Sequence, residues 1–524
     1  SVQSNLNGMA LTLPAPFAKA AEVTLPLRLE VAAVRATPVG VPDANTPATQ
    51  DQVQLEIGRV ASVNYLRDIT APEPRVVRGA IAMGLAADES APLPADGVIA
   101  NVNVQNLDLD AWNEVVNAVA GTATAAVANA AGAASAPGMG YLPTVMAVRA
   151  RSVAYGGRKL NNVVLGGTRD GLLWRANLDA SELSGYVEYR QPSGVGGGRL
   201  YARMARLAIA QSTAQDVESL LDEQPISIPA LDIVVDDFDL RGKKLGRLEI
   251  DAVNVGGGGA RDTQREWRLN RFNIATPEAT LTASGSWVPI SAQPNAPRGN
   301  IKERRRTAMN FKLDIADSGD LLNRFGMPGV LRRGKGKIEG QVGWAGSPIT
   351  LDYPSLTGSF NVNVENGQFL KTDPGIAKLL GVLSLQSLPR RLALDFRDVF
   401  SDGFAFDFLR GDVKIEQGIA RTNNLQMKGV AAAALMEGQA DIAKETQAIK
   451  VVVVPEINAG SASLIASVIN PIVGLSTFLA QLIVRSPLIE AITQEFYIDG
   501  TWTDPRVTQV ERKRASTPKP ETTP

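Results

Sequence analysis

The 524-residue chain contains no cysteine and no histidine. Those two absences remove disulfides, thiolate nucleophiles, cysteine-rich zinc sites, imidazole metal ligands and every histidine-dependent triad. An excess of charge is lacking as well. The chain carries 53 basic and 54 acidic residues for a formal net charge of −1, so no global field draws nucleic acid or another polyanion. The missing cysteines are compatible with a cell envelope without fixing the compartment. At Ser1 there is no initiator Met and no basic region followed by an apolar one. The chain therefore reads as a fragment or processed product without its own signal peptide or anchor.

What is present is alternation. Short runs with period-two patterning, bounded by Gly, Asn, Asp and Pro, recur along the chain and predict a mainly β, mainly antiparallel protein. Examples are Gln54–Gly58, Asn101–Leu109, Phe311–Ile315 and Lys337–Trp344. Residues 356–412 show it best. Phe360, Val362 and Val364 share one side of a strand, as do Leu392, Leu394 and Phe396, and then Phe404, Phe406 and Phe408. A weak internal repeat relates Arg158–Leu165, Trp174 and Gly185 to Lys243–Ile250, Trp267 and Gly285, as successive hairpins would.

Long loops are expected at 38–49, 118–140, 194–198, 256–259 and 289–306, and helices at 216–223, 320–325 and 374–385. No charged residue occurs from Ile457 to Val484, long enough to cross a hydrocarbon core of about 30 Å, but Asn470, Pro471 and Gly474 interrupt it. It reads first as a broken helical cap that packs on the sheet, then as a segment that dips into a membrane surface, and last as a true span, with Leu464, Ile465, Val468, Ile472, Leu475, Phe478, Leu479 and Leu482 as membrane contacts. The expected organisation is a repetitive β region at 1–306, a second β region with a helix at 307–456, the cap at 457–495, a terminal strand at 496–510 and a disordered tail at 511–524.

Reactive constellations are few. Gly334–Gly340 matches a loose G-x-G-x-x-x-G but lacks the phosphate-loop ending, so a hairpin turn is expected. Asp108 with Asp110, and Asp236 and Asp237 with Asp239, place carboxylates close enough to recruit Ca²⁺ or form a glycosidase-like pair, although turn aspartates account for them equally. The basic clusters 302–306 and 332–337 read as solvated loops or contacts for anionic head groups. No catalytic residue, metal site or cofactor is expected, and the chain is read as a non-enzyme.

Asn366–Leu370, Gly375–Arg391, Asp395–Asp407 and Gly500–Val507 resemble the C-terminal region of YhdP-type proteins of the AsmA-like family. Leu6–Lys19 and Leu107–Trp112 are similar to the more variable middle of the same family. The resemblance implies an elongated, curved antiparallel β-sheet with an apolar groove, a few short helices and a C-terminal apolar helical segment. It implies a periplasmic protein of a Gram-negative envelope, anchored to the inner membrane by a helix absent from this chain. Its partners would be phospholipids and the inner and outer membranes, with further envelope proteins unidentified, and its task passive phospholipid transport. The expected lining is Phe272, Ile274, Phe311, Leu313, Phe360, Val362, Val364, Leu392, Leu394, Phe396, Phe404, Phe406, Phe408, Val413 and Ile415. On the residues alone, one-sided apolar strands fit a groove or the core of a sandwich. A structural or assembly factor of the envelope and a carbohydrate-active β enzyme stand as the alternatives.

Overall fold

Period-two alternation folds as strands because only then does every apolar side chain reach the same face. A computed structural model describes residues 1–34, 49–84, 91–121, 139–156, 158–192, 197–209, 228–255, 266–289, 305–348, 351–370, 404–429, 432–455 and 493–510. These residues form 24 strands, and the chain divides into two units, Ser1–Asn254 and Val255–Pro524. The predicted mainly β architecture is what is found.

The first unit runs β1 (Val2–Ser4), β2 (Leu27–Val34), β3 (Gln50–Ile57), β4 (Ala61–Asp68), β5 (Arg75–Met83), β6 (Gly97–Asp108), α1 (Leu109–Gly121), β7 (Val145–Tyr155), β8 (Arg158–Asp170), β9 (Leu173–Asp179), β10 (Leu183–Arg190), β11 (Arg199–Ile209), β12 (Ala230–Leu240) and β13 (Lys243–Val255). Each strand pairs with the next in sequence. The pairs β5–β6, β6–β7 and β11–β12 are parallel, and the rest are antiparallel. A parallel pair cannot be closed by a hairpin and needs a crossover. For β6–β7 that crossover begins with α1, a helix not expected from the sequence, started by Asp108, whose Oδ1 accepts from the Ala111 amide at 2.9 Å.

The second unit runs β14 (Glu266–Ala275), β15 (Ala279–Pro289), β16 (Arg305–Ile315), α2 (Ser318–Arg324), β17 (Leu331–Ala345), β18 (Thr357–Phe369), β19 (Phe404–Glu416), β20 (Ile419–Gly429), β21 (Ala432–Asp441), β22 (Thr446–Pro455), β23 (Gln494–Thr501) and β24 (Pro505–Gln509). All its described neighbours pair antiparallel in chain order. Among the described residues no pairing closes the sheet on itself. The helix expected at 320–325 is α2, capped by Asp317, whose Oδ1 accepts from the Asp320 amide at 3.0 Å.

Gly334–Gly340 is not a hairpin turn. It lies inside the 15-residue β17, where Gly336 and Gly340 sit opposite Val364 and Phe360. Glycine is needed there for close approach: a Cβ on Gly340 would collide with the Ser359 carbonyl oxygen and stand 2.5 Å from the Phe360 Cα. Of the predicted repeat, the two glycines share a setting in register, whereas Trp174 lies opposite Tyr189, four residues from Gly185, and Trp267 opposite Trp287, two residues from Gly285. Gly185 lies between Leu178 and Met204 on neighbouring strands, and Gly285 lies between Leu269 and Met309.

The predicted helices 216–223 and 374–385, most of the predicted loops, the apolar segment 457–484 and the tail lie outside the described residues. Among the described residues no helix is long and apolar enough to cross a membrane.

Candidate functional site

Following register from strand to strand turns local alternation into lines that cross the sheet. In the first unit Leu29, Leu55, Val63, Ile81, Ala100, Met146, Gly167, Ala176, Val187, Ala202, Ile233 and Ile250 stand side by side on twelve successive strands. The adjacent row is Leu27, Ile57, Ala61, Met83, Val102, Val148, Leu165, Leu178, Gly185, Met204, Val235 and Leu248. Every position is apolar or glycine. At about 4.8 Å between strands each row runs for about 50 Å. The positions between them carry the opposite face, with Arg28, Glu56, Asn101, Asn177, Arg203 and Glu249 in one line.

The second unit repeats the pattern in a cross-section five rows wide. One margin is Trp267, Trp287, Thr307 and Trp344, all buried, with the Arg305 guanidinium 4.3 Å from the Trp287 ring. The opposite margin is Ala279, Ile315, Gly336 and Val364. Between them lie three rows: Leu269, Gly285, Met309, Val342, Gly358 and Ile415; Phe272, Ala283, Phe311, Gly340, Phe360 and Val413; and Ile274, Leu281, Leu313, Ile338, Val362 and Gly411. Most of these central side chains are only half-buried. Two sheets packed face to face would bury such residues as fully as a domain core. Among the described residues, the central rows therefore form an apolar face that no second layer covers completely.

Of the lining predicted from sequence, Phe272, Ile274, Phe311, Leu313, Phe360, Val362, Val413 and Ile415 fall on the central rows, and Val364 falls on the margin. Leu392, Leu394 and Phe396, and the eight positions Leu464 to Leu482, lie outside the described residues. Phe404 opens β19 in register with Phe369.

The parity assumed for Phe404, Phe406 and Phe408 does not hold. The β19–β20 register shifts between Phe406 and Phe408, and Asn366 on the neighbouring strand has φ 57°. A bulge turns the chain over, so side chains on its two sides face opposite ways. Phe406 is buried with Leu331, Val364 and Met427, its ring 5.3 Å from Phe369. Phe408 instead sits beside Glu365 with the Arg410 guanidinium 4.2 Å from its ring, lining a 310 Å³ polar cavity with Asn361, Asn363 and Asp412. Sequence reasoning missed Leu281, Met309, Ile338 and Val342, and both rows of the first unit. The alternations Val98–Val104 and Met146–Ala150 are the signal that marks the latter.

On the opposite face charged groups pair with one another. A cavity of about 1350 Å³ is lined there by Gln341, Ser359, Lys414, Arg421, Gln439 and Tyr497 among others. Lys414 lies 2.6 Å and Arg421 3.3 Å from the Glu416 carboxylate, holding it below its ordinary pKa, with the Lys414 hydrogen bond the larger cause. Among the carboxylate pairs suggested by spacing, Asp236 bonds Arg247 at 2.6 Å and Asp110 accepts from the Gly156 amide at 2.8 Å. Among the described residues no cluster of side chains could hold a metal ion.

Residues 1–507 match the family model described as YhdP protein. The chain belongs to the YhdP family. A curated relative, the "Intermembrane phospholipid transporter YhdP" of Escherichia coli (strain K12), is 29% identical over 273 residues, which are 52% of this chain and 20% of the relative. The chain thus matches about one fifth of that relative's length. No solved structure matches.

Proposed function

We propose that this chain forms a stretch of a passive conduit for phospholipid between the inner and outer membranes of a bacterial envelope. Acyl chains lie along the half-buried apolar rows, while head groups stay toward solvent. The observation that carries this reading is the unbroken register of apolar and glycine positions across twelve strands of the first unit. An acyl chain needs continuous apolar contact and no directional bonds, at about 0.8 kcal/mol for each buried CH₂. Such a row lets it slide without an energetic step at every strand. The lipid named for the curated relative agrees with that chemistry.

In this reading no bond is made or broken, and Phe272, Ile274, Phe311, Leu313, Phe360, Val362, Val413 and Ile415 act as lining. The protein works in the periplasm, held to the inner membrane.

Site-specific photocrosslinking in cells tests the proposal. A benzophenone side chain at Val148 or Phe360 is expected to capture phospholipid, and one at Arg149 or Asn361, on the opposite face, is not. Adducts of equal yield on both faces would refute the conduit, and none on either face of a folded protein would favour an envelope scaffold.

A further inference from the structure

The middle row of the second unit alternates large and small: Phe272, Ala283, Phe311, Gly340 and Phe360 on five consecutive strands. Three phenylalanines therefore recur every second strand, about 9.6 Å apart along the sheet. The two later rings lean over the intervening glycine until their centroids are 6.4 Å apart. All three are half-buried, so the line stands above the sheet rather than being sunk in a core. The rows on either side are aliphatic or glycine, and they are separated from each other by four residues along β15, β16, β17 and β18, about 13 Å. The two twelve-strand rows of the first unit contain no phenylalanine.

We infer that Phe272, Phe311 and Phe360 form a ridge that divides the apolar face of the second unit into two lanes, each sized for one acyl chain. A diacyl lipid straddles the ridge with its chains held apart. This rests on the conduit reading and adds to it a position-dependent handling of the two chains. They can run in contact along the first unit, but they are separated here. Gly340 places no Cβ beneath the Phe311 and Phe360 rings, which close over it.

The test uses a phosphatidylcholine with one pyrene on each acyl chain, loaded substoichiometrically onto the full chain, with a singly labelled lipid as control. Pyrene excimers need face-to-face contact, so chains parted by a ridge emit as monomers. Bound to a chain carrying Phe272→Leu, Phe311→Leu and Phe360→Leu, the lipid is expected to show an excimer-to-monomer ratio at least threefold higher than on the unaltered protein. Leucine keeps the face apolar, so an undivided face predicts no change. The single variant Phe311→Leu breaks the ridge at its centre and serves if the triple variant does not fold. An equal ratio on unaltered and altered protein overturns the ridge. Failure of the labelled lipid to co-elute with the unaltered protein counts against the conduit itself, and is distinguishable from it.

Discussion

Glu278 and Arg324 form a two-pronged ion pair, with Arg324 Nη2 2.6 Å from Glu278 Oε1 and Nε 2.9 Å from Oε2. It ties the end of α2 to the β14–β15 turn. The Arg324 hydrogen bonds hold the Glu278 carboxyl at about 2, below its ordinary value of 4.5. A depressed pKa in the folded state stabilises above the ordinary value and is lost as pH falls through the folded one. Solvent still reaches the pair, so its worth is about 1–2 kcal/mol. Glu278→Gln is expected to lower the urea midpoint of the second unit at pH 7. That difference should shrink below pH 4.5 and close near pH 2; a gap independent of pH would argue against the pair.

Trp287 is 1% exposed, stands between Trp267 and Thr307, and carries Arg305 on its ring. Truncation to Ala should remove about 3–5 kcal/mol, because both the transfer energy and the cavity count against the fold. Trp287→Phe should lose less, since much of the volume is kept. Equilibrium unfolding of both variants supplies the check, and equal losses would mean that the site collapses freely.

Much of this face is legible in the sequence, and the illegible parts have physical causes. The parity of Phe360, Val362 and Val364 follows from alternation alone, because no bulge interrupts β18 there. Phe408 was misplaced because a single bulge near Asp407 flips the strand, and nothing in Phe-Ala-Phe-Asp-Phe announces it. The glycines of β17 look like turn residues until Phe311 and Phe360 are known to lie on either side of Gly340, which is non-local information. The twelve-strand rows depend on eleven separate registers. The choice between groove and sandwich needed the exposure of the central rows, since patterning is the same for both.

Gly340→Ala should be costly although alanine is the smallest possible addition. Its Cβ would meet the Ser359 carbonyl and the Phe360 backbone, neither of which is the free end of a flexible side chain. A loss of about 2–3 kcal/mol is expected, the upper part of the range for overpacked sites. Gly171→Ala is not a fair control because Gly171 has φ 56°, whereas Gly166 has open space and an ordinary backbone, so Gly166→Ala should change stability little. If the two alanine variants unfold alike, the close approach at Gly340 is not tight in solution.

The neighbouring pair Val164 and Leu165 isolates the role of the rows. Leu165 is half-buried in the row between Val148 and Leu178, and Val164 is 48% exposed on the other face, beside Arg149. Glutamate at either position replaces an aliphatic side chain on the same strand by the same charge. Within the row, the carboxylate would stay hydrated and interrupt the apolar contact that an acyl chain requires. Leu165→Glu is therefore expected to cut co-purifying phospholipid by more than half, while Val164→Glu leaves it within about a quarter of the unaltered amount. Lipid extraction and mass spectrometry read the result, with thermal unfolding to show that both variants are folded. Because the change is matched in chemistry and differs only in face, equal lipid in two folded variants would mean that acyl chains do not run along this row.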